Sequence, residues 1–82
     1  MSVRLSPSPA TSFATVEYVL PKGATQATLD ITNVLGVTVL SVGLEGNRGS
    51  RVLDLSGQPS GLYFITVTDQ NGQRCVRKVV KQ

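Results

Sequence analysis

The sequence predicts an all-β fold, an antiparallel immunoglobulin-like β-sandwich of about seven short strands. Three observations carry this. Apolar and polar residues alternate along segments such as Ala27-Thr28-Leu29-Asp30-Ile31-Thr32, the mark of a strand with one buried face. Turn signals, among them Pro21-Lys22-Gly23, Asn33-Val34-Leu35-Gly36, Pro59-Ser60-Gly61 and Asn71-Gly72, recur at roughly ten-residue spacing. No stretch shows the alternating helical periodicity of an α/β fold. The buried Trp and the paired cysteines of antibody domains are missing, so only the architecture is claimed.

At 82 residues the chain makes one domain. Residues 1–12 are expected to be an extended lead-in, a linker from an upstream domain. Pro7 and Pro9 restrict φ and disfavour a regular hydrogen-bonded element there. Residues 13–82 form the β body. Its first strand is Phe13 to Leu20, with Ala14, Val16, Tyr18 and Leu20 on one face and Thr15 and Glu17 on the other. Pro21-Lys22-Gly23 ends it. In the next strand Leu29 and Ile31 point inward. Asn33 then turns the chain by bonding its own following backbone, and Gly36 accepts a positive φ. Val37 to Val42 returns antiparallel. The density of Val and Thr there opposes a helix.

Leu44 to Ser50 reads as a polar, glycine-rich loop. It lacks the Gly-Lys-Ser/Thr of a phosphate-binding loop, and no helix follows it. Val52 to Val67 reads as strand, tight turn and strand, the central hairpin, with a type I turn starting at Gln58. Asn71-Gly72 marks a second hairpin, for which two registers remain open. A two-residue loop pairs Tyr63 with Val80 and Val67 with Val76. A three-residue loop with Gly72 in the left-handed region pairs Tyr63 with Val79, Ile65 with Arg77 and Val67 with Cys75. In either case Arg74 to Lys81 is half apolar and runs along an edge.

Composition narrows the function. The chain has no His, which removes the commonest general base and neutral metal ligand. Glu17, Asp30, Glu45, Asp54 and Asp69 are scattered one per segment, with no local carboxylate pair. Asp30, Asp54 and Asp69 read as outward strand or turn residues. No nucleophile elbow, calcium loop or zinc spacing occurs. Catalytic, cofactor and metal residues are therefore all expected to be none, and the protein is read as no enzyme. Cys75 reads as a small buried or half-buried side chain. The net charge is +3, and four of the eight basic residues, Arg74, Arg77, Lys78 and Lys81, lie near the end of the sequence. Lys and Arg on an edge strand block edge pairing. They also form a patch suited to anionic lipid, nucleic acid or an acidic receptor. No transmembrane segment and no signal peptide is present, so an export signal is expected outside this chain.

Five motifs in order resemble one family over Leu5 to Gln82. Pro7-Ser8-Pro9-Ala10 looks like an opening Pro-Asn-Pro-Ala, with Ser8 in place of Asn. Tyr18-Val19-Leu20-Pro21-Lys22-Gly23 looks like the family's first strand and turn. Ile31 to Val39 is similar to a strand, an Asp-x-x-Gly-type turn and a returning strand. Here Asn33 stands for Asp, and Val37 stands where the family often has a basic residue. Leu53-Asp54-Leu55-Ser56 through Pro59-Ser60-Gly61-Leu62-Tyr63 is similar to a Leu-x-Leu-Ser, Pro-x-Gly-Ile/Val-Tyr signature. Lys78-Val79-Val80-Lys81-Gln82 looks like a Lys-hydrophobic-hydrophobic-Lys tail. The family is the C-terminal sorting domain of the bacterial type IX secretion system of the Bacteroidetes.

The resemblance implies a seven-stranded sandwich that acts as a non-catalytic address for an upstream cargo. The address is read at the outer membrane after periplasmic transit, and the cargo goes to the cell surface. The implied partners are the outer-membrane translocon, a sortase-like peptidase that removes the domain, and the cargo domain of the parent chain. The implied recognition residues are Gly61, Tyr63, Lys78, Val79, Val80 and Lys81. The alternative is a carbohydrate-binding or adhesive module. It would need exposed aromatics, and only Phe13, Tyr18, Tyr63 and Phe64 exist. A nucleic-acid binder is not expected, because aromatics for base stacking are not interleaved with the basic patch.

Overall fold

The computed structural model describes residues 1–7 and 9–82. Seven strands follow one another: β1 (Ser2–Ser6), β2 (Phe13–Val19), β3 (Gln26–Asn33), β4 (Thr38–Glu45), β5 (Arg48–Asp54), β6 (Gly61–Asp69) and β7 (Arg74–Lys81). They form a three-stranded sheet in the order β1-β2-β5 and a four-stranded sheet in the order β4-β3-β6-β7. Every strand pairing is antiparallel. The two sheets close on each other as a sandwich.

The core follows from the period-two pattern. Ala14, Val16 and Tyr18 of β2 face Leu29 and Ile31 of β3 and Tyr63, Ile65 and Val67 of β6 across the interior. Leu20, Leu44, Leu53, Leu55 and Val79 complete it. Thr28, Thr66 and Glu17 take the outer faces, as alternation requires.

Four sequence expectations need correction. The lead-in is partly built into the body. Ser2–Ser6 pairs with β2 from Ser2↔Val19 to Ser6↔Thr15, and Val3 is buried. The short Ser-Val-Arg-Leu-Ser alternation supplies one core side chain and covers the edge of β2. Ser8 of the opening motif lies outside the described residues.

The Leu44–Ser50 segment is not a loop. β4 runs to Glu45 and β5 starts at Arg48, so only Gly46 and Asn47 turn. Gly49 lies within β5 because the Tyr18 ring fills the space where a side chain would stand. A Cβ there would sit 2.7 Å from the Tyr18 hydroxyl oxygen.

Val52 to Val67 is not a hairpin. β5 pairs with β2, while β6 pairs with β3 and β7, so the connection crosses from one sheet to the other. Its turn is earlier than expected. Gln58 N–H donates to Leu55 O at 3.0 Å, and Leu55 is buried between the sheets. A sheet-crossing link and a hairpin share the same local pattern of strand, turn residues and strand.

Asp69 is buried, not outward. Its Oδ1 accepts the N–H of Asn71 at 2.8 Å and of Gln73 at 2.9 Å. That cap fixes the three-residue loop, so Tyr63 pairs with Val79, Ile65 with Arg77 and Val67 with Cys75. Of the two registers left open, this is the second.

The β3–β4 turn is the same device. Asn33 Oδ1 accepts the N–H of Leu35 at 2.9 Å and of Val37 at 3.1 Å. Asn33 N–H donates to Val37 O, and Gly36 N–H to Asn33 O. Gly36 and Gly72 hold φ values of +82° and +85° at equivalent places. The two loops lie at opposite ends of the sandwich.

Candidate recognition site at one end of the sandwich

Three motif segments far apart in sequence meet at one end of the molecule. These are the turn after β3, the link between β5 and β6, and the end of β7. Asn33 pairs with Tyr63, and Tyr63 pairs with Val79, which aligns the three strands side by side at this end.

Tyr63 ties the end together. Its ring is buried, and its hydroxyl donates to the Pro59 carbonyl at 2.5 Å. The bond spans four residues and clamps the sheet-crossing link onto β6. Gly61, between the two, holds a φ of +147°, a conformation that side chains with a Cβ rarely adopt. The signature Pro-x-Gly-x-Tyr is thus a bend and its clasp. Asp54 secures the other side of the link. Its Oδ1 accepts the Ser56 hydroxyl at 2.6 Å and the Ser56 N–H at 2.9 Å. These bonds, the hydroxyl's foremost, hold the Asp54 carboxyl below its ordinary value.

The closing segment is an edge, and its last residues are partnered. β7 pairs with β6 on one side only. Ala10 N–H donates to Val80 O at 2.8 Å, and Gln82 N–H donates to Ala10 O at 2.9 Å. Ala10 therefore continues the sheet in parallel beside Lys81. Lys81 Nζ donates to Gln58 O at 2.7 Å, which joins β7 to the link. The edge from Arg74 to Lys78 lies beyond that short bridge.

The sequence-predicted recognition residues divide into two groups. Tyr63 and Val79 are buried, and Lys81 is half-buried and engaged with Gln58. Gly61, Lys78 and Val80 are exposed. Lys78 lies opposite Phe64 and Val80 opposite Leu62, which places an apolar and basic strip on the outer face of the four-stranded sheet. A groove of about 220 Å³ runs beside it between Val34, Leu35, Pro59 and Leu62.

Asn47, at the opposite end, is a structural residue that sequence reasoning missed. Its Nδ2 donates to Pro21 O at 2.9 Å and to Ala24 O at 2.8 Å, and Leu20 N–H donates to its carbonyl. A lone Asn after Gly looks like any turn residue, and no local signal announces three distant backbone partners. Arg51 is similar, reaching from β5 to the Gly43 carbonyl of β4 at 2.7 Å.

Among the described residues no group of three acidic, Cys or His side chains is placed to hold a metal ion. Among the same described residues no helix is long and apolar enough to cross a membrane. Cys75 is half-buried against the core. No curated protein matches the chain. Residues 4–82 match the family described as the secretion system C-terminal sorting domain. That match covers nearly the whole chain, all of β2 to β7 and the latter part of β1, so the chain belongs to the C-terminal sorting domains of the type IX secretion system.

Proposed function

We propose that this domain directs an upstream cargo through the type IX system to the cell surface, and that a sortase-like peptidase then removes it. Family membership supplies the sorting role. The observation that supports a specific mechanism is the convergence of the signature and the tail at one end of the sandwich. A translocon component reads the exposed side chains of Lys78 and Val80 and the exposed backbone at Gly61, together with the open edge of β7. Tyr63, Val79 and Lys81 hold the shape that presents them. An edge strand offers unpaired backbone groups to an added strand, and Lys78 and Arg77 bias the choice toward an acidic partner.

The test is capture of translocon components by the domain. Removing Lys78 to Gln82 also removes Val79 from the core and the bridge to Ala10, so truncation confounds recognition with folding. Lys78→Glu with Val80→Asp changes only exposed side chains. The expected result is lost capture with unchanged thermal stability. Undiminished capture would take the end of β7 out of the mechanism. A carbohydrate platform has less support, because Tyr18 and Tyr63 are turned inward and bonded to backbone carbonyls.

A further inference from the structure

Six of the nine large apolar side chains exposed among the described residues lie toward the signature end; Met1 and Val19 stand at the far end and Val76 midway along β7. Val34 is 67% exposed, Leu35 83% and Val37 55%, all on the β3–β4 turn. Phe13 and Val52 stand out on the outer face of the three-stranded sheet near the same end, and Val80 on that of the four-stranded sheet. The apolar surface thus surrounds an end instead of covering one flat face.

The fold contains its own control for the turn. The Asn33 and Asp69 loops share the same capping bonds and the same positive-φ glycine. One carries Val34, Leu35 and Val37 at its tip. The other, at the far end, carries Gln70, Asn71 and Gln73. Turn geometry accepts polar residues at these places, so folding does not require the apolar ones. An exposed Val-Leu tip costs solubility and calls for a medium or partner that covers it.

Most N–H groups of that turn are satisfied from within it. The N–H groups of Asn33, Leu35, Gly36 and Val37 are all bonded within the turn. Those four groups need no bond to water, whereas the Val34 N–H and the carbonyls of Val34, Leu35 and Gly36 make none within the turn and stay with water and headgroups, which holds the tip at the bilayer interface. Basic side chains stand behind the tip. Lys78 lies in the strand row that runs through Phe64 to Thr32, at the base of the turn, and Arg77, exposed one row further back opposite Ile65, points to the other side of β7. Their amine and guanidinium groups reach headgroup height when the tip is inserted. The start of β1 lies at the opposite end, where Ser2 pairs with Val19, so chain preceding it departs away from the tip.

We propose that the Val34-Leu35 tip inserts into the interface of an anionic phospholipid bilayer, with Lys78 and Arg77 on the headgroups. The proposal stands apart from the sorting reading, because it is measured on the isolated chain with lipid alone. The chain has no Trp, so one introduced Trp reports its own surroundings. Leu35→Trp should show a blue-shifted emission with vesicles of phosphatidylglycerol and phosphatidylcholine. Asn71→Trp, on the matching loop at the far end, should show none.

Val34→Asp with Leu35→Asp should lower co-sedimentation with those vesicles at least tenfold at unchanged melting temperature. Lys78→Glu should lower it and flatten its salt dependence, and pure phosphatidylcholine vesicles should bind weakly. Equal shifts from both Trp positions, or none from Leu35→Trp, would overturn the proposal. So would a tip that leaves vesicles unbound yet is required to capture a translocon protein.

Discussion

The Tyr63 hydroxyl offers the sharpest test of how the signature works. In Tyr63→Phe the ring stays in the core, and only the bond to Pro59 O is lost. A hydrogen bond of this kind contributes about 0.5–1.5 kcal/mol net, and the partly buried carbonyl left behind adds to the loss. The expected destabilisation is about 1–2 kcal/mol. A domain of this size has a total stability of roughly 4–12 kcal/mol. Its melting temperature moves about 4–8 °C per kcal/mol, so the variant should melt roughly 5–15 °C lower. Differential scanning calorimetry reads this directly. Sorting at low temperature, where the variant is folded, should be near normal, because the hydroxyl is turned inward. A variant that melts like the parent would refute the clasp. A variant that folds fully but is not sorted would mean that Tyr63 is read by a partner directly.

Three further outcomes follow from the same bonds. Asn47→Ala removes the donor to Pro21 O and Ala24 O, and should cost about 1–3 kcal/mol by denaturant unfolding with little change in m-value. Gly49→Ala places a Cβ against Tyr18 and displaces its hydroxyl from Glu45 O. It should cost about 1–3 kcal/mol, and Tyr18→Phe in the same chain should recover part of that. The Asp54 carboxyl titrates below its ordinary value because the Ser56 hydroxyl and N–H bond its charged form. Its contribution is present above the unfolded carboxylate range and lost as pH falls through the folded value. Ser56→Ala should raise the Asp54 titration seen by carboxyl NMR while leaving the N–H part of the effect in place.

Much of the body was legible because alternation speaks directly about faces. The period alone puts Ala14, Val16, Tyr18 and Leu20 on one face, and all four are buried. The Asn33 turn was also readable, since an Asn and a Gly at that spacing leave few alternatives. What escaped were choices between sheets. Period-two patterning assigns a strand a buried face without saying which neighbour it pairs with, so β5 to β6 looked like a hairpin. β1 escaped because five residues give too short a pattern, and the prolines after it suggested a linker. The second register was decided by the Asp69 carboxylate, whose burial no local rule foretells. At the candidate site the motifs were visible as words. Only the fold shows that Tyr63 and Val79 support the end while Lys78 and Val80 face outward.

The sorting role is tested most directly by export. Residues 1–82 would be joined to the carboxy end of a reporter already delivered to the periplasm of a bacterium with a working type IX system. The account predicts reporter at the cell surface or in the medium, and retention in the periplasm when the translocon gene is deleted. Reporter held in the periplasm of both strains, or released equally by both, would contradict it.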